Sequence, residues 1–234
     1  MLRKIAFTLL LIFPALTGIA QTDAPSASAF KVELVPNLTF RDDEVRAGLL
    51  YDTERKVIVW EKDMHYAYPI ASLTKMMVAL LATEDIRAGK ADWSDNITVE
   101  RLYKKSRRSR KVIRSVQNYT FESLVQLAMI PSNNEACSDI AKHLSGNVND
   151  FVVRMNMKAQ SLGMNSTFYS NPSGLPGLVK EIDNSASPSD LLILSLEMLK
   201  YEEILRITSI DYAEITNDQH RAVYRNHKIG RAHV

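Results

Sequence analysis

A chain of 234 residues with one cysteine, Cys137, has no internal disulfide available, so its fold must be held by a core. Histidine is also scarce: the five present show neither His-x-His nor His-Glu-x-x-His spacing, so no metal site and no cofactor is implied. An excess of one charge is lacking too. Lysine and arginine number 29 against 27 aspartates and glutamates, and bulk charge points to no particular partner. Between residues 104 and 114 seven of eleven residues are basic, but no aromatic is interleaved, so no nucleic acid is expected and the run reads as a solvated loop. Its alternative is a contact with anionic wall polymer or lipid head groups.

What is present is enough apolar residue, 46%, for one domain with a sizeable core. Residues 1–20, MLRKIAFTLLLIFPALTGIA, carry Arg3 and Lys4, an apolar run too short to span a bilayer comfortably, and small Gly18 and Ala20 before a cleavage point. This reads as a signal peptide of an exported protein. Its removal leaves 27 basic residues against 27 acidic ones. Residues 21–30, QTDAPSASAF, read as a flexible lead-in.

Strand patterns at 47–52 and 56–63 flank the turn Thr53-Glu54-Arg55 and predict a hairpin. A helix over 72–87 follows, with seven apolar residues in a row from Met76 to Ala82; such a run covers every face and predicts burial all round. Further helices are expected at 121–130 with Thr120 as N-cap, at 134–144 stopped by Gly146, at 150–162 stopped by Gly163, and from Pro188 to about Tyr201. Residues 171–177, NPSGLPG, form a turn-rich loop, and 212–224 look extended. Strands, then helices, then strands indicate an α+β fold, an α/β sandwich.

Two polar residues stand at the head of the buried helix. Ser72 and Lys75, three apart, share a face, and a lysine among apolar groups loses hydration, which favours its neutral form. A neutral amine could take the serine proton, and amides at the helix start could hold an oxyanion. The plainer reading makes Ser72 an N-cap and Lys75 a snorkelling side chain. Ser-x-x-Lys arises about once by chance in a chain this long, and Ser28 with Lys31 is a second copy.

Ser132 and Asn134, in Pro131-Ser-Asn-Asn, lie between two helices, where a loop can offer a hydroxyl and a carboxamide to a cleft. Two other Ser-x-Asn triplets, at Ser94 and Ser145, are explained by turns. Cys137 reads as a small core residue, because His143 is not placed to activate it, and Met155, Met157 and Met164 read as packing.

The segments YPIASLTKMMVALL, MIPSNNEACSDIAKHLSG and MNSTFYSNPSGLPG, in that order, resemble the D-alanyl-D-alanine carboxypeptidases, the low-mass penicillin-binding proteins. Ser-x-x-Lys is a signature of penicillin-binding proteins and β-lactamases. The resemblance, from about Lys31 to His227, implies a β-lactamase/transpeptidase-like fold: an antiparallel sheet, helices on one side and a helical subdomain. It implies that Ser72 attacks the bond between the last two D-alanines of a peptidoglycan stem peptide, with Lys75 as base, Ser132 passing a proton to the leaving amine, and Asn134 binding substrate and steadying Lys75. It also implies β-lactam antibiotics as inhibitors and action in the periplasm or on the outer face of the bacterial cytoplasmic membrane.

Rival functions within this resemblance are a β-lactamase, a D,D-endopeptidase and a non-catalytic wall-binding homologue. No Glu-x-x-x-Asn follows Ser132, which counts against β-lactam turnover.

The family's Lys-Thr-Gly strand is not found. Lys228-Ile229-Gly230 lacks the hydroxyl, and the closing KIGRAHV can be encoded by a sequence resembling a library adapter. The expectation is a partial catalytic domain over 31–227, a non-native tail over 228–234, C-terminal strands missing, and this chain nearly inactive by itself. A peripheral membrane contact would lie in the missing segment.

Overall fold

The computed structural model describes residues 30–35, 45–104, 112–176 and 183–226. The expected signal peptide, all but the last residue of the lead-in, the tail over 228–234 and positions 105–111 of the basic run lie outside the described residues.

The expected hairpin joins β2 (Gly48–Asp52) and β3 (Val57–Lys62), which pair antiparallel. Asp52 closes the turn by accepting from the amides of Glu54 (3.0 Å) and Arg55 (2.8 Å). A short β1 (Lys31–Val32) adds to the free edge of β3 in parallel, so the three-stranded sheet is mixed rather than wholly antiparallel. The ladder runs on through Glu33 N–H to Ile58 O (2.8 Å), and Glu33 pairs with Arg55. One face of this sheet meets α5 (Pro188–Met198), where Leu49, Tyr51, Ile58, Met64 and Leu192 form a small cluster.

The main core is built around α1 (Lys75–Arg87). Residues 77 to 82 are all buried, as a helix with no polar stripe requires, and only Met76 of the apolar run is partly exposed. Packed around it are α2 (Phe121–Met129), α3 (Asn134–Ser145), α4 (Val148–Ser161), α5 and α6 (Glu202–Thr208). Thr120 caps α2 by accepting from Ser123 N–H at 3.1 Å, as predicted. Gly146 and Gly163 end α3 and α4 with φ of 76° and 77°.

The structure corrects several boundaries. Helix α4 starts at Val148 because Asn147 caps it, its Oδ1 accepting from Asp150 N–H at 2.9 Å. The helix expected to reach Tyr201 ends at Met198, and the extended backbone of Tyr201 opens the separate α6. Ile97 belongs to a nine-residue strand, β5 (Asn96–Lys104), paired along its whole length with β6 (Val112–Thr120). Lys104 and Arg114, the ends of the basic run, are therefore strand residues, and Arg114 pairs with Glu100 (2.6 Å). Extended 212–224 is the hairpin β8 (Tyr212–Thr216) and β9 (Arg221–Arg225). Met155 and Met164 are core residues, but Met157 is 63% exposed and packs against nothing central.

Two further elements place the site. Strand β4 (Tyr68–Pro69) pairs with β7 (Ser185–Ala186), and the chain then turns through a 3-10 segment, Ala71–Thr74, into α1. The head of the buried helix is thus fixed against the segment that leads into α5.

Leu80 is fully buried in α1. Truncating it to alanine removes contacts on a rigid helix that cannot collapse around the void, and Leu80→Ala is expected to cost about 2–5 kcal/mol. Denaturant unfolding at constant m-value measures this, and a loss under about 1 kcal/mol would contradict the central place given to α1.

Candidate active site at the head of the buried helix

Ser72 lies on the 3-10 turn rather than on α1 itself, and Lys75 is the first residue of the helix. In a 3-10 turn residues i and i+3 eclipse, so the shared face expected of a helix is kept. The Lys75 Nζ stands 3.0 Å from Ser72 Oγ. Their surroundings differ sharply: Ser72 is exposed, whereas Lys75 is 1% accessible.

Two oxygens from other parts of the chain complete the amine's surroundings. Asn134 Oδ1 accepts from Nζ at 2.8 Å, and the main-chain carbonyl of Ser173 at 2.7 Å. Ser132 Oγ donates to Ser72 Oγ at 3.1 Å. The four residues singled out in the sequence are therefore brought into one hydrogen-bonded group, across separations of up to 62 positions. The plainer readings do not describe this geometry: Ser72 makes no side-chain cap, and Lys75 does not reach water.

The helix-to-helix junction aims the second pair. Asn133 caps α3, its Oδ1 accepting from Ala136 N–H at 2.9 Å, and its own N–H bonds Leu127 O at 2.9 Å. That fixes Asn134 at the first position of α3, where its side chain reaches Nζ. Ser132 sits at φ 62° and Ala71, beside the nucleophile candidate, at φ 43°. Left-handed backbone costs a non-glycine residue about 1–3 kcal/mol, and it persists where the surroundings over-determine it.

The contribution of Ser173 has no signature in the sequence, because a main-chain carbonyl has no residue type. The loop that carries it does: in Asn171-Pro-Ser-Gly, Asn171 Oδ1 accepts from Ser173 N–H (3.1 Å), Ser173 Oγ (3.0 Å) and Gly174 N–H (2.7 Å). Gly174, at φ 79°, lies directly on the turn; a Cβ there would stand 1.8 Å from Ala71 O. Leu73 N–H is bonded to Ile70 O (3.0 Å), so that amide at the helix start is not offered to an oxyanion.

Burial pushes the Lys75 amine below the ordinary lysine range, with an electrostatic contribution from Cys137 working the other way. A neutral amine has two N–H donors and one lone pair. Asn134 Oδ1 and Ser173 O can only accept, so each takes one N–H, and the lone pair is left to face the Ser72 hydroxyl. Ser72 Oγ can then donate to Lys75 while accepting from Ser132. The arrangement suits proton transfer from an alcohol to an amine.

Because Gly174 touches the turn that carries Ser72, Gly174→Ala must displace either the loop or the turn. It is expected to abolish labelling of Ser72 and, because the atoms met are main chain and the φ is left-handed, to lower the thermal midpoint as well, as probe labelling beside thermal unfolding checks. Labelling retained at the wild-type rate would show that the loop is not seated on the turn.

A family model described as D-alanyl-D-alanine carboxypeptidase matches residues 38–234. Among curated relatives, the carboxypeptidase DacF of Bacillus subtilis is 29% identical over 178 residues, covering 75% of this chain and 45% of its own. A D-alanyl-D-alanine endopeptidase of Escherichia coli is 27% identical over 197 residues, covering 80% of this chain and 59% of its own. The chain thus spans about half the length of the curated relatives it matches. Among solved structures, penicillin-binding protein D2 from Listeria monocytogenes in its ampicillin-bound form superposes with a TM-score of 0.63 at 26% identity, over 77% of this chain and 70% of that one. The superposition gives the chain the fold of the penicillin-binding proteins, and the family match over residues 38–234 shows that the chain belongs to the D-alanyl-D-alanine carboxypeptidase family.

Proposed function

We propose that this protein is a serine-type D-Ala-D-Ala carboxypeptidase that removes the terminal D-alanine from peptidoglycan stem peptides through an acyl-enzyme. The observation that carries the reading is the Lys75 amine: 1% accessible, held by two acceptor oxygens, and 3.0 Å from an exposed serine hydroxyl. Ser72 Oγ attacks the carbonyl carbon of the penultimate D-alanine as its proton passes to Lys75 Nζ. The tetrahedral adduct then expels the terminal D-alanine, whose nitrogen receives a proton from Lys75 relayed through Ser132. Water cleaves the resulting ester by the reverse proton path and frees Ser72. Asn134 holds Lys75 and offers its amide to the substrate backbone.

A D,D-endopeptidase, acting on crosslinks, is the second reading, supported by the match to an endopeptidase over 197 residues. Both chemistries use the same nucleophile and differ in what stands beyond the scissile bond. The ampicillin-bound relative supports β-lactams as inhibitors, and the missing Glu-x-x-x-Asn supports a long-lived adduct over rapid hydrolysis. Peptidoglycan as substrate places the action outside the cytoplasm, and the signal-like residues 1–20 support export.

The test is labelling with a fluorescent penicillin of the protein expressed from its native gene. The expected result is a stable adduct mapped to Ser72 and absent from Ser72→Ala. Acylation should rise with pH along a limb centred below 10.5, the ordinary lysine value, because only the neutral amine accepts the proton and burial lowers its pKa. Fast loss of label would mean a β-lactamase, and no label would mean a binding module.

A further inference from the structure

Asn184 stands just ahead of β7, 2% accessible, with its carboxamide fully engaged. Its Oδ1 accepts from Ser170 N–H (2.8 Å), Ser170 Oγ (2.9 Å) and Asn171 N–H (3.1 Å). Its Nδ2 donates to Asn171 O (2.7 Å) and to Thr74 Oγ1 (2.8 Å). Its main-chain carbonyl accepts from Ile70 N–H at 3.0 Å. These bonds join two separate pieces of chain. Ile70 and Thr74 bracket the turn that carries Ser72, and Ser170 and Asn171 begin the loop that carries the Ser173 carbonyl.

We propose that Asn184 is a positioning residue for the Ser72 and Lys75 pair: its carboxamide clamps the loop bearing the Ser173 carbonyl onto the turn bearing Ser72. It touches no reacting atom. Through the clamp it holds the Ser173 oxygen at 2.7 Å from Nζ and closes water out of the amine's surroundings. The residue type is dictated by the partners. Three groups of the loop donate and Asn171 O can only accept, so the clamp must both accept and donate, which a carboxylate or a leucine cannot do.

The inference rests on the reading of Lys75 as the base. Loss of the clamp should let the loop lift and water reach Nζ, which favours the charged amine. Among the described residues, the titratable group bearing on Lys75 is the Cys137 thiol of α3, which the clamp does not touch.

Lys75 is titrated by NMR of its labelled ε-carbon in wild type, Asn184→Ala and Thr74→Val, and penicillin acylation is followed against pH in the same proteins. In Asn184→Ala the Lys75 midpoint should move up by about one pKa unit, with about a tenfold fall in acylation at neutral pH. Thr74→Val removes one bond of the clamp, should shift both in the same direction by less, and decides the matter if Asn184→Ala does not fold. A folded variant, by circular dichroism, whose Lys75 titrates as in wild type overturns the clamp while labelling of Ser72 leaves the catalytic reading standing. Absence of label in wild type would overturn that reading, and the Lys75 titration would still decide the clamp.

Discussion

The site depends on one dry amine. Lys75 Nζ is enclosed by Ser72 Oγ, Asn134 Oδ1 and Ser173 O, and each of these comes from a different part of the chain. Burial opposes the charge, and the two acceptors leave the amine one direction in which to accept a proton. Wetting the pocket or turning either acceptor away would leave an ordinary ammonium beside an ordinary hydroxyl. Nothing about Ser72 itself is unusual. The reactivity proposed for it would come from what its neighbour has been denied.

Holding that arrangement takes a stiff frame, and α1 provides it. The helix is buried along its length, and its far end is tied by Arg154 to Asp85 (2.6 Å), Lys158 to Glu84 (2.5 Å) and Arg87 to Glu203 (2.7 Å). Of the three, the Arg87–Glu203 pair is the most exposed, where such a contact adds about 0–1 kcal/mol; Asp85 is buried, and Arg154 satisfies its carboxylate. At the near end the backbone is strained at Ala71 and Ser132, and Gly174 is pressed against Ala71 O. Strain at a turn and a junction, beside an unstrained buried helix, is the pattern of a site whose geometry is imposed by packing around it.

Most of this was legible in residue order. The seven apolar residues from Met76 gave the buried helix, Thr120 and the stop glycines gave helix ends, and Ser72, Lys75, Ser132 and Asn134, singled out by spacing together with the family resemblance, lie in one hydrogen-bonded group. The misses have physical causes. Strand β5 carries Glu100 and Arg101 and has no clean alternation; its pairing with β6 is a long-range fact. The break at Tyr201 is likewise a tertiary one, since nothing in the apolar pattern ends at Met198. The Ser173 carbonyl could not be read at all, and Asn184 could not be told from any other polar residue before a strand. Polar groups that act through hydrogen bonds to the main chain leave no pattern in a one-dimensional reading.

The central claim concerns where hydrogens stand, so the direct measurement is neutron diffraction from deuterium-exchanged crystals near neutral pH. The account predicts two deuterons on Lys75 Nζ, directed at Asn134 Oδ1 and Ser173 O, with the Ser72 deuteron lying on Oγ and pointing to Nζ. Three deuterons on Nζ, one of them aimed at Ser72 Oγ, would contradict it.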